Sequence, residues 1–435
     1  MTLRTNCHNP LFFKKTSFFL IVFLTLFNLS NAQERYNFTP LSTSGGLHSS
    51  TINAIIKDRY GLMWFATDDG LAKFDGTNFT VYRNKDNDPK SLQANEIPSI
   101  YEDKNGTIWV GTSGGSLSMY DRKNDNFLYF PTSTGPNSLR NNVIKTITSD
   151  ANGKIWVGHY MGLDIVDPKT KQITPFYGGN KPFNISTICL LEDSKSRMWV
   201  GTSEGLFVFD KQNKQLAKFV NDPSNSRSIC GNNMRYISED KNGNIWIATT
   251  NGLSMTDANL HGFTTYKHDP SNANTISGNE VNALAVDDKN RIWVGSSAGL
   301  DILNPATGKV ECISYDKGNG QILRLKDVNS IHIEKDGLYW VGTYRNGIIK
   351  YDTNLNLFNL VQNDPFNKNG LPAPIVTAFA EAANGKVFVG TDIGGVSLFD
   401  PSNKTFQHID LRSSVKGFDK GLRIVSLLLT RKNEL

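Results

Sequence analysis

The stretch Asn105-Gly106-Thr107-Ile108-Trp109-Val110-Gly111-Thr112 decides how the whole chain is read. It recurs, with small changes, as Gly153-Lys154-Ile155-Trp156-Val157-Gly158, Gly243-Asn244-Ile245-Trp246-Ile247-Ala248 and Arg291-Ile292-Trp293-Val294-Gly295. All seven tryptophans fall in copies of it: Trp64, Trp109, Trp156, Trp199, Trp246, Trp293 and Trp340. Successive tryptophans lie 45, 47, 43, 47, 47 and 47 residues apart. An eighth copy, Gly385-Lys386-Val387-Phe388-Val389-Gly390-Thr391, follows 48 residues later with Phe388 in the tryptophan slot. A period of about 40–50 residues marks a propeller, solenoid or array. It overrides the several domains that a length of 435 residues would otherwise suggest.

Each repeat resolves into four short β segments, most cleanly in the sixth. Val281–Val286, Arg291–Gly295, Leu300–Leu303 and Lys309–Tyr315 read as strands. Between them stand Asp287-Asp288-Lys289-Asn290, Ser296-Ser297-Ala298-Gly299 and Asn304-Pro305, which are turn chemistry. Short strands at regular spacing, punctuated by Gly, Asn, Asp and Pro, specify an all-β chain. Four strands per repeat of this length match the blade of a β-propeller. Each blade must bury both faces, and one large flat ring at the same place in every blade fills the wedge between neighbours. Burying such a ring is worth roughly 2–3 kcal/mol. The tryptophans, with Phe388, are therefore expected as blade core and not as ligand stackers. The Asp-x-x-Gly before each tryptophan (Asp103 to Gly106, Asp150 to Gly153, Asp240 to Gly243) reads as a hairpin turn with Gly at positive φ. It lacks the alternating carboxylates of a calcium loop.

The first 32 residues read as a signal peptide: Arg4, Lys14 and Lys15, then the apolar run Ser17–Phe27, then Ser30-Asn31-Ala32 as a cleavage site. The run is short for a membrane span. Removing residues 1–32 removes three basic and no acidic residues, so the net charge falls from +5 to +2. A near-neutral chain of mixed charge offers nothing to nucleic acid or to an anionic membrane. Cys189, Cys230 and Cys312 have no CxxC spacing and read as isolated thiols, with one bridge left open. No metal or cofactor is called for.

Pro-stiffened linkers join the repeats. Asn87-Asp88-Pro89-Lys90-Ser91-Leu92 leads to Asn95, Gly135-Pro136-Asn137-Ser138-Leu139 to Asn142, Asn221–Ile229 to Asn232, and His268–Ile276 to Asn279. Together, the Asp-x-x-Gly-x-Ile-Trp-Val-Gly-Thr-x-x-Gly-Leu-x-x-Phe-Asp pattern and these Asp-Pro…Ser-Leu…Asn linkers resemble the two-component regulator propeller repeat. The resemblance runs from residue 36 to the end. It implies the periplasmic sensor region of a hybrid two-component system, two seven-bladed rings in tandem, and a homodimer. On that pattern residues 33–362 form a seven-bladed propeller and 363–435 the start of a second. Tyr36–Leu41 resembles a fourth strand without its first three, and closes a ring by completing a blade elsewhere; which blade stays open. A single eight-bladed ring is the alternative. Gly421–Leu429 looks like the first strand of a ninth repeat and Arg431–Leu435 like its turn. The chain is thus expected to be a fragment whose missing part holds further blades, a membrane span and a histidine kinase.

In propellers, ligands bind where the loops between second and third strands converge on the axis. Most repeats place small residues there, such as Ser113-Gly114, Thr249-Thr250-Asn251 and Ser296-Ser297-Ala298. Three do not: Asp68-Asp69, His159-Tyr160-Met161 and Tyr344-Arg345-Asn346. Aromatic, cationic and acidic groups in a wall of small ones suit an oligosaccharide or other small polar ligand. Asp68, Asp69, His159, Tyr160, Tyr344 and Arg345 are the candidate ligand-binding residues. No catalytic residue stands out: Gly-x-Ser-x-Gly, His-Glu-x-x-His and P-loop patterns are absent. A glycan-active enzyme of sialidase or lyase type, or a protein-binding scaffold, are the alternatives to a sensor.

Overall fold

The computed structural model describes residues 36–430, except 37, 42–45, 317–321, 355–360, 362, 364–366, 368, 383–384 and 412–422. The expected signal peptide therefore lies outside the described residues, as do Gly421, Leu422 and Arg431–Leu435. The described residues hold no α-helix and eight four-stranded antiparallel sheets. The chain divides into two compact units, 1–353 and 354–435.

Unit 1 is a ring of seven blades. Blade one is Ile52–Lys57, Met63–Thr67, Gly70–Phe74 and Phe79–Tyr82, each strand paired with the next. Blades two to six repeat this over 99–130, 144–175, 187–219, 234–266 and 281–312. Blade seven takes three strands from its own stretch: Val328–Ile333, Leu338–Thr343 and Ile348–Asp352. Its fourth is Phe38–Leu41, paired antiparallel with Ile348–Asp352 from Phe38 opposite Tyr351 to Leu41 opposite Ile348. The open question of the N-terminal strand is thereby answered. The chain leaves unit 1 after Thr353 because blade seven needs only three strands from that end.

Seven apolar clusters hold the ring. Each joins the tryptophan of one blade to residues of the next. Trp64 packs with Ile100, Val110 and Phe127 of blade two, and Trp199 with Met234, Ile237 and Ile247 of blade five. Trp293 packs with Val341, Ile349 and the N-terminal Tyr36 and Phe38. Trp340 of blade seven meets Ile52, Phe65 and Phe74 of blade one, so the ring closes on itself. A glycine two residues after the tryptophan lets five of the blades approach their neighbours closely, and alanine, Ala66 and Ala248, takes its place in blades one and five. A Cβ on Gly342 would lie 2.6 Å from Ile52 Cγ2, and one on Gly158 2.7 Å from Thr187 Cγ2.

The acidic turn before each tryptophan has a specific task. Asp103 Oδ1 accepts the amides of Asn105 and Thr107 at 2.8 and 3.0 Å, while Oδ2 accepts the indole N–H of Trp109 at 3.0 Å. The same indole bond runs from Trp64 to Asp58, Trp156 to Asp150, Trp199 to Asp193, Trp246 to Asp240, Trp293 to Asp287 and Trp340 to Glu334, at 2.5–3.1 Å. A buried N–H left unpaired is costly, so each buried indole wedge arrives with its acceptor. Gly106 closes its turn at φ 84°, and Ser196 and Asn290 adopt φ 57° and 58° in the same place. The linker asparagines act locally too. Asn95 Oδ1 accepts the Asn84 amide at 2.7 Å, and Asn232 Oδ1 the Asn221 amide at 2.6 Å, stapling each linker across its own length.

Unit 2 holds one sheet: Val376–Glu381, Val387–Thr391, Gly395–Asp400 and Thr405–Ile409. Leu371, Val389 and Phe406 are its buried cluster. Phe388 corrects an expectation: it is half-buried and stands outside that cluster. In unit 1 the following blade covers each tryptophan, whereas among the described residues of unit 2 no following sheet covers Phe388. The Ile424 amide donates to Thr391 O at 3.1 Å, as Ile97 and Ile144 donate to Thr67 and Thr112 where blades two and three begin. Residues 423–430 thus enter at the position of a next inner strand, without pairing as one.

Candidate functional site

The repeat period places equivalent residues of seven blades around one end of the axis. Two positions per blade define this mouth. The first lies eleven residues before the tryptophan, in the innermost strand. In blade one, Ile52 pairs with Thr67 and Ala54 with Ala66, so Asn53 is bulged out of the ladder. The same register shift occurs at Lys145, Ile188, Arg235, Asn282 and Asn329. Pro98 holds the position in blade two, just before Ser99 pairs with Gly111. Bulges of this kind re-aim side chains at the rim of a sheet, and none of these seven residues is buried.

The second position lies four residues after the tryptophan, in the turn between second and third strands: Asp68, Ser113, Tyr160, Ser203, Thr250, Ser297 and Tyr344. In blades two to seven its amide donates to the carbonyl two residues before the first position. Tyr160 donates to Val143 at 3.2 Å, and Tyr344 to Asp327 at 2.9 Å. These bonds set the turn beside the bulge. Asp68 is tied there directly, accepting Asn53 Nδ2 at 2.8 Å.

Of the sequence-derived candidates, Asp68, Tyr160 and Tyr344 thus share one ring position in blades one, three and seven. Tyr160 is 63% exposed and Tyr344 45%, so both rings are available. Arg345 lies over the Tyr344 ring, its Cζ 5.0 Å from the centroid. Asp69 points elsewhere, into a two-pronged ion pair with Arg83 at the outer edge of blade one. His159 must be corrected. It is the last residue of the strand Ile155–His159, with no exposed surface. Its Nε2 lies 3.0 Å from the buried Asp164 Oδ2, and its Nδ1 accepts the Met161 amide at 3.2 Å. It is a core group that fixes the turn, and Tyr160 beside it is the residue that faces solvent. Burial works against the Asp164 carboxylate, but His159 and Arg140 outweigh it and hold that pKa below the usual range.

Sequence reasoning passes over Lys145 and Arg235, which belong to no motif. The available signal is their shared position eleven residues before Trp156 and Trp246. Lys145 Nζ lies 5.7 Å from the Tyr160 ring centroid. Tyr236, next to Arg235, keeps 44% of its surface, yet surrounding protein raises its hydroxyl pKa by desolvation. Among the described residues, no group of three His, Cys, Asp or Glu side chains is placed to hold a metal ion, and no helix is long and apolar enough to cross a membrane.

Fold and mouth together define a β-propeller whose axial loops are polar and whose blade turns are structural. Its repeats are those of the two component regulator propeller family, whose model matches residues 46–69, 91–114, 138–161, 180–204, 228–251 and 275–298. Histidine kinase P4 of Formosa agariphila is 43% identical over 56 residues, 13% of this chain and 4% of that protein. The extracellular domain described as that of a hybrid two component system from B. thetaiotaomicron superposes with a TM-score of 0.62 at 23% identity, over 92% of this chain and 51% of that one. Virginiamycin B lyase from Staphylococcus aureus superposes with a TM-score of 0.55 at 13% identity, over 73% of this chain and 99% of that one. At these identities the likeness to the solved structures is one of fold. The chain spans about half the length of the first of them.

Proposed function

We propose that this chain is the exported, ligand-sensing propeller region of a two-component sensor histidine kinase, and that it detects an oligosaccharide at the mouth of the ring. The observation that carries the reading is the placement of Asp68, Tyr160 and Tyr344 at one ring position, in turns that otherwise hold Ser or Thr. Aromatic faces stack on sugar rings, and carboxylate and amide groups hydrogen-bond hydroxyls. The six repeat matches, the short match to a histidine kinase and the fold of an extracellular domain support the assignment to a sensor. Export follows from the signal-like residues 1–32, and a homodimer from the resemblance. Signalling requires that the ligand bind one arrangement of the protein better than another, and the kinase and membrane span belong to a further part of the protein.

Calorimetric titration with a panel of oligosaccharides tests this. Binding without turnover is expected, and Tyr160→Ala and Tyr344→Ala should each weaken it about three- to tenfold. Release of a shortened or unsaturated product, or affinity indifferent to both tyrosines, would sink the reading.

A further inference from the structure

Of the seven residues at this ring position, five are neutral and two are cations, Lys145 in blade three and Arg235 in blade five. Only blade four, with the apolar Ile188, separates them, and its inner strand packs against both of theirs. Lys145 is half-buried, and no carboxylate pairs with it among the described residues. Its neighbours are the Tyr160 face and the Arg235 charge. Among the described residues Arg235 has one ion pair, to Glu280 at 3.4 Å, and both side chains there are partly in water. Such an exposed pair is weak and easily exchanged. Burial first, and Arg235 second, lower the Lys145 pKa, so the two cations act on one another. An ammonium withdrawn from water, without a counter-ion and beside a second cation, works against folding. Arrangements of this kind cluster where a charged ligand is received.

We propose that Lys145 and Arg235 are the two arms of an oxyanion site in the mouth, and that the ligand is an acidic saccharide bearing a carboxylate or a sulfate. The guanidinium offers a planar fork to two oxygens and the ammonium a point charge. Tyr160, over which Lys145 already lies, supplies the face for the sugar that carries the acid. This inference rests on the reading of the mouth as a saccharide site and adds the charge of what binds there.

The test uses the whole chain and three saccharides of equal length: an oligogalacturonate, its methyl ester and an O-sulfated neutral oligosaccharide. One of the two acidic probes should bind about tenfold or more tighter than the ester. The stronger of the two identifies carboxylate or sulfate as the recognised group. Lys145→Gln and Arg235→Gln should each weaken that binding about tenfold and leave the ester unaffected. Added salt should weaken the acidic probe alone. Independently of any ligand, Lys145→Gln should leave the melting temperature unchanged or raise it, because it removes an unpaired charge. A marked fall in melting temperature would make Lys145 a structural group and overturn the proposal. So would equal affinity for acid and ester, which leaves the saccharide reading standing, and so would failure of both acidic probes to bind.

Discussion

Blade two and the sheet of unit 2 are cut from the same repeat, and two of the positions at which they differ, six residues apart, are the wedge and its acceptor. Blade two has Asp103 and Trp109, with the indole N–H bonded to the carboxylate and the ring fully buried. The unit 2 sheet has Ala382 and Phe388, and the ring is half-buried. Phenylalanine has no N–H to satisfy, and where the donor is lost its acceptor is lost too. Blade seven makes the complementary point: Glu334 replaces the aspartate and still reaches Trp340 at 2.5 Å. The acid is thus required by the indole, and side-chain length is negotiable as long as an oxygen arrives. The second difference is burial. A wedge residue becomes core only when a following blade covers it.

Breaking the pair in blade two should show the largest effects. Trp109→Ala removes a fully buried ring between two blades and should cost about 3–5 kcal/mol. Phe388→Ala, at a half-covered site, should cost about 1–2 kcal/mol. The two can be followed separately. Every tryptophan lies in unit 1, so indole fluorescence during urea unfolding reports that unit alone. Far-UV circular dichroism reports both units, so a transition it shows without a fluorescence change belongs to unit 2. Equal costs at the two sites would mean that inter-blade burial is not what gives the tryptophans their weight.

The acid alone comes next. Asp103→Ala strands the indole N–H of Trp109 and two turn amides, and should cost about 3 kcal/mol. The double variant Asp103→Ala/Trp109→Phe recreates the unit 2 pairing inside unit 1. It should cost less than the two single changes, Asp103→Ala and Trp109→Phe, added together, with a coupling of about 1–2 kcal/mol. Strict additivity in urea unfolding would contradict the claim that donor and acceptor depend on each other.

The sequence carries the fold almost completely, because one period repeats eight times and strand, turn and wedge each keep their offset from Trp or Phe. It carries the site less well. His159 stands next to the turn residues Tyr160 and Met161 and looks like a loop residue; the strand runs as far as His159 and buries it. Lys145 and Arg235 were invisible to motif reading because a bulge is a matter of register. One extra residue against the partner strand turns a side chain into the mouth, and nothing in the residue's own chemistry announces it. Phe388 reads as core by position, but position alone does not supply the covering neighbour.

The smallest expected effect concerns pH, and it separates the blades that have an acid from the sheet that has none. Asp58 is fully buried, and burial by itself pushes its pKa up. The Trp64 indole N–H, the Arg122 guanidinium from blade two and the Leu62 amide outweigh this and hold it below the usual carboxylate range. A carboxyl whose folded pKa is depressed adds stability that is complete above its unfolded value, about 3.9, and is lost as pH falls through the folded one. Arg122→Met removes one of the groups that holds Asp58 ionised, so the folded pKa rises towards the unfolded value. Acid unfolding of unit 1, read by tryptophan fluorescence, should then begin at a higher pH than in the parent chain. At pH 7 the change should be about 1 kcal/mol or less, since Arg122 is partly in water. Ala382 cannot titrate, so the same substitution should leave the acid transition of unit 2 where it was. A parallel shift in both units would mean that the arginine acts through overall charge and not through the carboxylate beneath it.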